Sequence, residues 1–294
     1  MSVNLSEDLK KTKILLNISN EELANDLGVN KSTLSRWING NNFPNRLALD
    51  RIYDYIYSNG IRLNLINEEL FKSKSTKNNL ILFHGSKEGI DGKLTIEKSN
   101  ENKDFGKGFY LGESVNQAVS FVSNYPNSKL YIVEIENINK LKVKLFDVSK
   151  EWMILVAYFR GRINDYANSK YIHKILNLIK DVDIIVAPIA DNSMYEIIND
   201  FIEGGITDEQ CVNALSANRL GKQYVITNDK VLNENVKILK ESFLCEKEKH
   251  EYEQIKDNDR KIGKAKMILA KRKYAGIGKY IEEILIWEKW MKQD

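Results

Sequence analysis

The sequence predicts a multidomain chain: an all-α domain over residues 1–66, an α+β domain over 79–245, and a helical charged tail over 246–294. Three observations carry that reading. At 294 residues the chain exceeds one typical domain, since domains run to about 100–200 residues. Apolar residues recur at helical spacing in the first sixty positions and then in short alternating runs typical of strands. The last fifty residues are dense in lysine and glutamate.

Bulk properties exclude several function classes. A net charge of +3 means that any nucleic-acid contact must come from a local patch. Cys211 and Cys245 are the only cysteines and the three histidines lie far apart, so neither a disulfide framework nor a metal cluster is expected. The opening MSVNLSEDLKKTK has no signal-peptide core, and no stretch approaches the ~20 apolar residues that span a bilayer. A cytoplasmic protein with no membrane partner is expected.

Residues Ser6 to Leu16 suit a first helix. Ser19 followed by Glu22 forms a capping box before a short second helix, with Leu23, Ala24 and Leu27 on one face. Gly28 and Val29 make a turn, Asn30 caps a third helix bearing Leu34 and Trp37, and Gly40 ends it. A fourth follows Pro44 through Leu47, Ile52, Tyr55 and Ile56. The pattern LANDLGVNKSTLSRWINGNNFPN resembles the phage-repressor-like helix-turn-helix family. That resemblance implies DNA as a partner of residues 1–66, with Lys31, Ser32, Ser35 and Arg36 facing the groove and a homodimer engaging two half-sites. The alternative is a helical interaction module without DNA contacts. Residues 67–78, NEELFKSKSTKN, read as a linker.

From residue 79 the segments NLILFHGS, KLYIVEI, KVKLFDV, DVDIIVAP and KQYVIT read as strands. Helices are expected at Ser114–Asn124, Trp152–Arg160, Tyr171–Ile179, Met194–Phe201 and Asp208–Ala217. Two segments, LFHGS at 82–86 and DFGKGFYLGESVNQAVSFVSNY at 104–125, resemble the ADP-ribosyltransferases, in the branch of poly-ADP-ribose polymerases and diphtheria toxin. The stretch from ADNSMYEIINDF through GITDEQCVNAL to LGKQYV resembles a bacterial family of unknown-function domains related to those transferases.

The resemblance implies an ADP-ribosyltransferase-like fold of split antiparallel sheets, with NAD as substrate. In it His84 bonds the adenosine ribose, the Gly85 backbone grips the nicotinamide carboxamide, and Ser86 adds a hydrogen bond. Tyr110, reached through Phe105, Gly106 and Gly108, stacks on the nicotinamide, and Phe121 covers its other face. Gln223 occupies the position of the family's glutamate, and a neutral amide can orient a ribose hydroxyl but cannot accept a proton. Asp191 and Glu209 are candidate replacements for that carboxylate, each with an alternative role at a helix start. Ala118 stands where the polymerases commonly place a serine.

The activity implied is mono-ADP-ribosyl transfer, toxin-like or regulatory, to an unknown macromolecular acceptor, an intracellular protein or nucleic acid. An antitoxin protein is a partner of the family type. The rivals are an NAD glycohydrolase and a transcription regulator that binds NAD without chemistry. In the tail Ile262, Met267, Leu269, Tyr280, Ile284 and Trp287 are candidates for packing, His250 is expected exposed, and the lysines with Arg272 form a solvated face or touch phosphates.

Overall fold

A computed structural model describes residues 3–218 and 220–285; Trp287 lies outside them. Five helices lead, α1 (Leu5–Leu16), α2 (Asn20–Asp26), α3 (Lys31–Ile38), α4 (Arg46–Ser58) and α5 (Leu63–Lys74). Then come β1 (Leu80–Ser86), β2 (Phe109–Gly112), α6 (Val115–Ser120), β3 (Lys129–Ile135), β4 (Val143–Leu145), α7 (Lys150–Phe159) and α8 (Lys170–Leu176). After β5 (Ile184–Pro188) follow α9 (Asn192–Ile202), α10 (Asp208–Ser216), β6 (Lys222–Ile226), α11 (Asp229–Glu234), β7 (Val236–Phe243), α12 (Glu246–Lys273) and α13 (Ile281–Leu285). These elements form two compact units, each assembled from separate stretches of chain.

The first unit takes Met1–Asp91, Ser114–Ile138 and Val236–Ile255. In its sheet β3 is central, pairing antiparallel with β1 from Leu80↔Ile135 to Ser86↔Lys129 and with β7 from Lys129↔Phe243 to Ile135↔Val236. The helical head buries Leu9, Leu23, Leu34, Ile52 and Ile56, and its core closes on Phe243 and Cys245 beyond β7. Ser19 and Glu22 exchange the two bonds of the capping box.

Polar contacts complete this join. Asp8 of α1 is buried and accepts from Lys240 Nζ at 2.7 Å and from the Tyr53 hydroxyl at 2.7 Å. Tyr53 stacks on Phe243 with ring centroids 5.0 Å apart. Asn64 Nδ2 donates to both Glu248 oxygens at 3.0 Å, and Glu68 accepts from the Val115 backbone N–H at 2.9 Å. The segment read as a linker at 67–78 is therefore helical through Lys74 and buries Asn67 and Glu68. Its polar residues are the ones turned inward, which is why polarity suggested a spacer.

The second unit takes Gly92–Glu113, Asn139–Asn235 and Lys256–Asp294. Its strand order is β4-β5-β6-β2, with β5, β6 and β2 successively antiparallel and β4 parallel to β5. The sheet is mixed, which corrects the expectation of purely antiparallel sheets. A parallel pair needs a long crossover, and α7 with α8 supplies it between β4 and β5. Helix α7 is apolar on every side and buries Trp152 through Ala157. In the tail Met267 and Ile281 are buried, whereas Ile262, Leu269 and Tyr280 are exposed, so the packing stripe is narrower than the composition suggested. His250 is exposed.

Burial lifts the Glu248 carboxyl from 4.5 to about 7, only partly offset by the Asn64 amide and Arg62. A raised folded-state value means that this group contributes stability below about pH 4.5 that is lost as pH rises through about 7. Glu248→Gln is expected to be more stable than the wild type at pH 8, by on the order of 2 kcal/mol in urea unfolding, and not at pH 4.5. Parallel curves for the two proteins across that range would contradict it.

Candidate active site

The chain enters β2 through the loop Asp104–Gly108. Gly106 lies at φ +69, and a Cβ there would sit 2.9 Å from the Phe159 ring, so the turn requires glycine. Gly108 likewise faces Val225, whose Cγ1 would be 2.6 Å from an added Cβ. The Tyr110 hydroxyl closes the loop by accepting from the Phe105 N–H at 3.1 Å and donating to the Gly106 carbonyl at 2.8 Å. Burial raises the pKa of this phenol, so it remains a donor at neutral pH. Phe105 belongs to the core, with its ring 6.0 Å from that of Phe146 and 6.5 Å from that of Phe159.

Strands β2 and β6 place Tyr110 opposite Val225 and Gly112 opposite Gln223. Opposed residues in an antiparallel pair share a face, as do residues two apart along a strand, so Tyr110 and Gln223 lie on one face. Gly112 offers no side chain in front of Gln223. The Lys103 ammonium lies over the Tyr110 ring, 4.4 Å from its centroid.

Behind this face lies a charged group that the sequence reading passed over. Asp104 is 6% exposed. Its Oδ1 accepts from Arg160 Nε at 3.0 Å and Nη2 at 2.5 Å; its Oδ2 accepts from Gln223 Nε2 at 2.7 Å and the Ala190 N–H at 3.4 Å. Gln223 Nε2 also donates to the Pro188 carbonyl at 3.0 Å. Arg160 donates to the Ala190 carbonyl at 3.1 Å and stacks 4.4 Å from the centroid of Tyr195. The local signal for Asp104 is its place directly before the Phe-Gly turn; nothing local marks Arg160, 56 residues away.

Both candidate carboxylates stand at helix starts. Asp191 caps α9, accepting from the Met194 N–H at 2.8 Å. Glu209 is exposed in the first turn of α10 and donates its N–H to Asp208 Oδ1 at 2.8 Å. Asp208 is buried, and although burial raises its pKa, hydrogen bonds from Lys150 and the Lys279 and Glu209 N–H groups bring it below the ordinary value.

The remaining predicted residues belong to the first unit. His84 sits half-buried on β1 opposite Tyr131, ring centroids 6.3 Å apart. Gly85 is packed under α6, where a Cβ would collide with the Ala118 carbonyl and lie 2.9 Å from Val122 Cγ2. Ser86 Oγ accepts from the Gly89 N–H at 3.0 Å and donates to the Gly89 carbonyl at 2.8 Å, closing a turn. Phe121 follows the last residue of α6 and is 55% exposed. On α3, Leu34 and Trp37 face the core while Lys31, Ser32 and Arg36 are exposed and Ser35 is half-buried. Lys31 Nζ is paired with Glu21 at 2.8 Å, and Arg36 Nε donates to the Ser32 carbonyl at 3.3 Å.

Gly85→Ala is expected to lower stability by about 1–3 kcal/mol, because the obstacle is backbone of α6 that cannot rotate away. Phe121→Ser, at an exposed position, should leave thermal unfolding within about 0.5 kcal/mol of the wild type. A loss larger than that would show that the exposed ring packs on its neighbours.

Among the described residues no helix is long and apolar enough to cross a membrane. No curated protein and no solved structure matches this chain. Residues 9–52 match the helix-turn-helix family. Residues 80–237, more than half the chain, match a family described as protein of unknown function, DUF3990. The chain therefore belongs to the DUF3990 family and carries a helix-turn-helix domain ahead of the family's region.

Proposed function

We propose that the chain is an NAD-dependent mono-ADP-ribosyltransferase that reads DNA through its own helix-turn-helix. The observation that carries the reading is the placement of Tyr110 and Gln223 on one face of neighbouring strands. The Tyr110 ring is held rigid through its hydroxyl and already attracts a cation, Lys103, to one face. The nicotinamide ring of NAD is a flat cation, and the same ring quadrupole recognises it. Gln223 supplies a neutral acceptor for a ribose hydroxyl.

When bound, NAD supplies a glycosidic bond whose cleavage leaves positive charge on the ribose. The protein's part is to hold the sugar, clamp the departing ring and keep charge of the right sign nearby. A neutral amide at 223 cannot deprotonate an acceptor ribose, so the proposal is one transfer to a protein or nucleic acid, not chain growth. The same neutrality favours a second reading, a regulator that binds NAD without turnover and couples occupancy to DNA binding.

Incubation with NAD labelled in its adenylate half, in the presence of a cell lysate, separates these readings. Label on a macromolecule, abolished in a Tyr110→Ala protein that still melts cooperatively, supports transfer. Free nicotinamide without labelled product means hydrolysis, and binding without cleavage means the regulator.

For DNA, the exposed face of α3 is proposed to enter the major groove, with two chains on two half-sites. Replacing Lys31 and Arg36 by alanine should weaken binding at least tenfold and lower the salt slope by about 2. Glu21→Gln, which releases Lys31 from its ion pair, should tighten binding. An unchanged salt slope in the double variant would exclude that face.

A further inference from the structure

We infer that Asp104, held by Arg160, is a positioning residue that locks the Gln223 amide so that Oε1 is presented as a neutral acceptor for a hydroxyl of the bound sugar. The identity of that hydroxyl rests on the transferase reading; the orientation does not.

An amide can be turned either way about its last torsion, and here the neighbours decide. Asp104 Oδ2 at 2.7 Å and the Pro188 carbonyl at 3.0 Å are both acceptors, so the reversed amide would press an oxygen against two oxygens. Nitrogen must face them, and both of its protons are then used. The remaining hydrogen-bonding atom is Oε1, which accepts and cannot donate. Gln223 is 7% exposed, so this choice is enforced in a poorly hydrated place where a wrong pairing is costly.

The carboxylate that fixes the amide is itself fully engaged. Arg160 occupies Oδ1 with two donors, and Gln223 and the Ala190 N–H occupy Oδ2. Arg160 is anchored in turn by the Ala190 carbonyl and the Tyr195 ring. Asp104 therefore acts through Gln223 and not on a ligand. It follows that glutamine at 223 is a built feature of this site and not a damaged glutamate. A glutamate there would set carboxylate against carboxylate at about the present 2.7 Å separation, where both cannot remain charged. The site is thus specific for a hydroxyl donor and its partner at 104 is matched to an amide.

The test uses the full chain as wild type, Asp104→Ala, Gln223→Glu and the double variant Asp104→Asn/Gln223→Glu, in which an amide at 104 faces a carboxylate at 223. In glutamine-labelled protein the two Gln223 side-chain protons should exchange at least tenfold more slowly than those of exposed glutamines, and Asp104→Ala should remove that protection. Gln223→Glu should lose thermal stability, more at pH 8 than at pH 5.5, and the double variant should recover most of the loss. If the wild type releases nicotinamide from NAD, Asp104→Ala should reduce kcat at least tenfold with KM changed less than threefold. Fast exchange of the Gln223 amide in the wild type, no recovery in the double variant, or a loss confined to KM overturns the assignment. A wild type that neither binds nor cleaves NAD defeats the transferase reading alone, because amide exchange and the stability rescue still decide the role of Asp104.

Discussion

A carboxylate taken out of water has to be met by donors on both oxygens, and the second unit is arranged around that demand at Asp104. The residue lies in the loop before β2, Arg160 ends α7, Ala190 follows β5, and Gln223 lies on β6, so one buried charge draws four segments together. The loop then has one course to Tyr110, whose hydroxyl bonds the backbone of Phe105 and Gly106. Phe105, the residue beside the charge, is driven into the core against Phe146 and Phe159. Polar and apolar anchors on adjacent residues leave the loop little freedom.

The fold was readable where local physics decides it. The helices of the head, their capping box and the strands at β1, β3, β5 and β6 all follow from spacing and caps within a few residues. Strand β7 and helix α5 were missed for a common reason. Lys240 and Glu241 on β7, and Asn67 and Glu68 on α5, look like surface residues in the chain but are buried because their partners lie far away in sequence. Partners 47 to 232 residues away leave no periodic trace. The parallel approach of β4 was illegible too, since a three-residue strand carries no sign of its direction.

For the site the legible part was the set of residue types and not their work. Gly85, Gly106 and Gly108 were singled out for closeness to a ligand, and each is also demanded by a neighbouring protein atom. Asp191 serves its helix and Ser86 its own turn. Asp104 stood inside the quoted motif without a role, because its importance depends on Arg160 and on the backbone after β5. A motif names the participants, whereas the hydrogen-bond partners assign their tasks.

The pairing of Asp8 with Lys240 joins positions 232 residues apart. On the ribosome the helical head emerges more than two hundred residues ahead of the strand that neutralises its buried aspartate. Until then the Asp8 carboxylate has one partner fewer, and the Tyr53 ring lacks the Phe243 ring that later stacks on it. The nascent chain thus carries an unfinished helix-turn-helix module until β7 has been made, and the order in which the protein matures is written into which segment holds the missing cation.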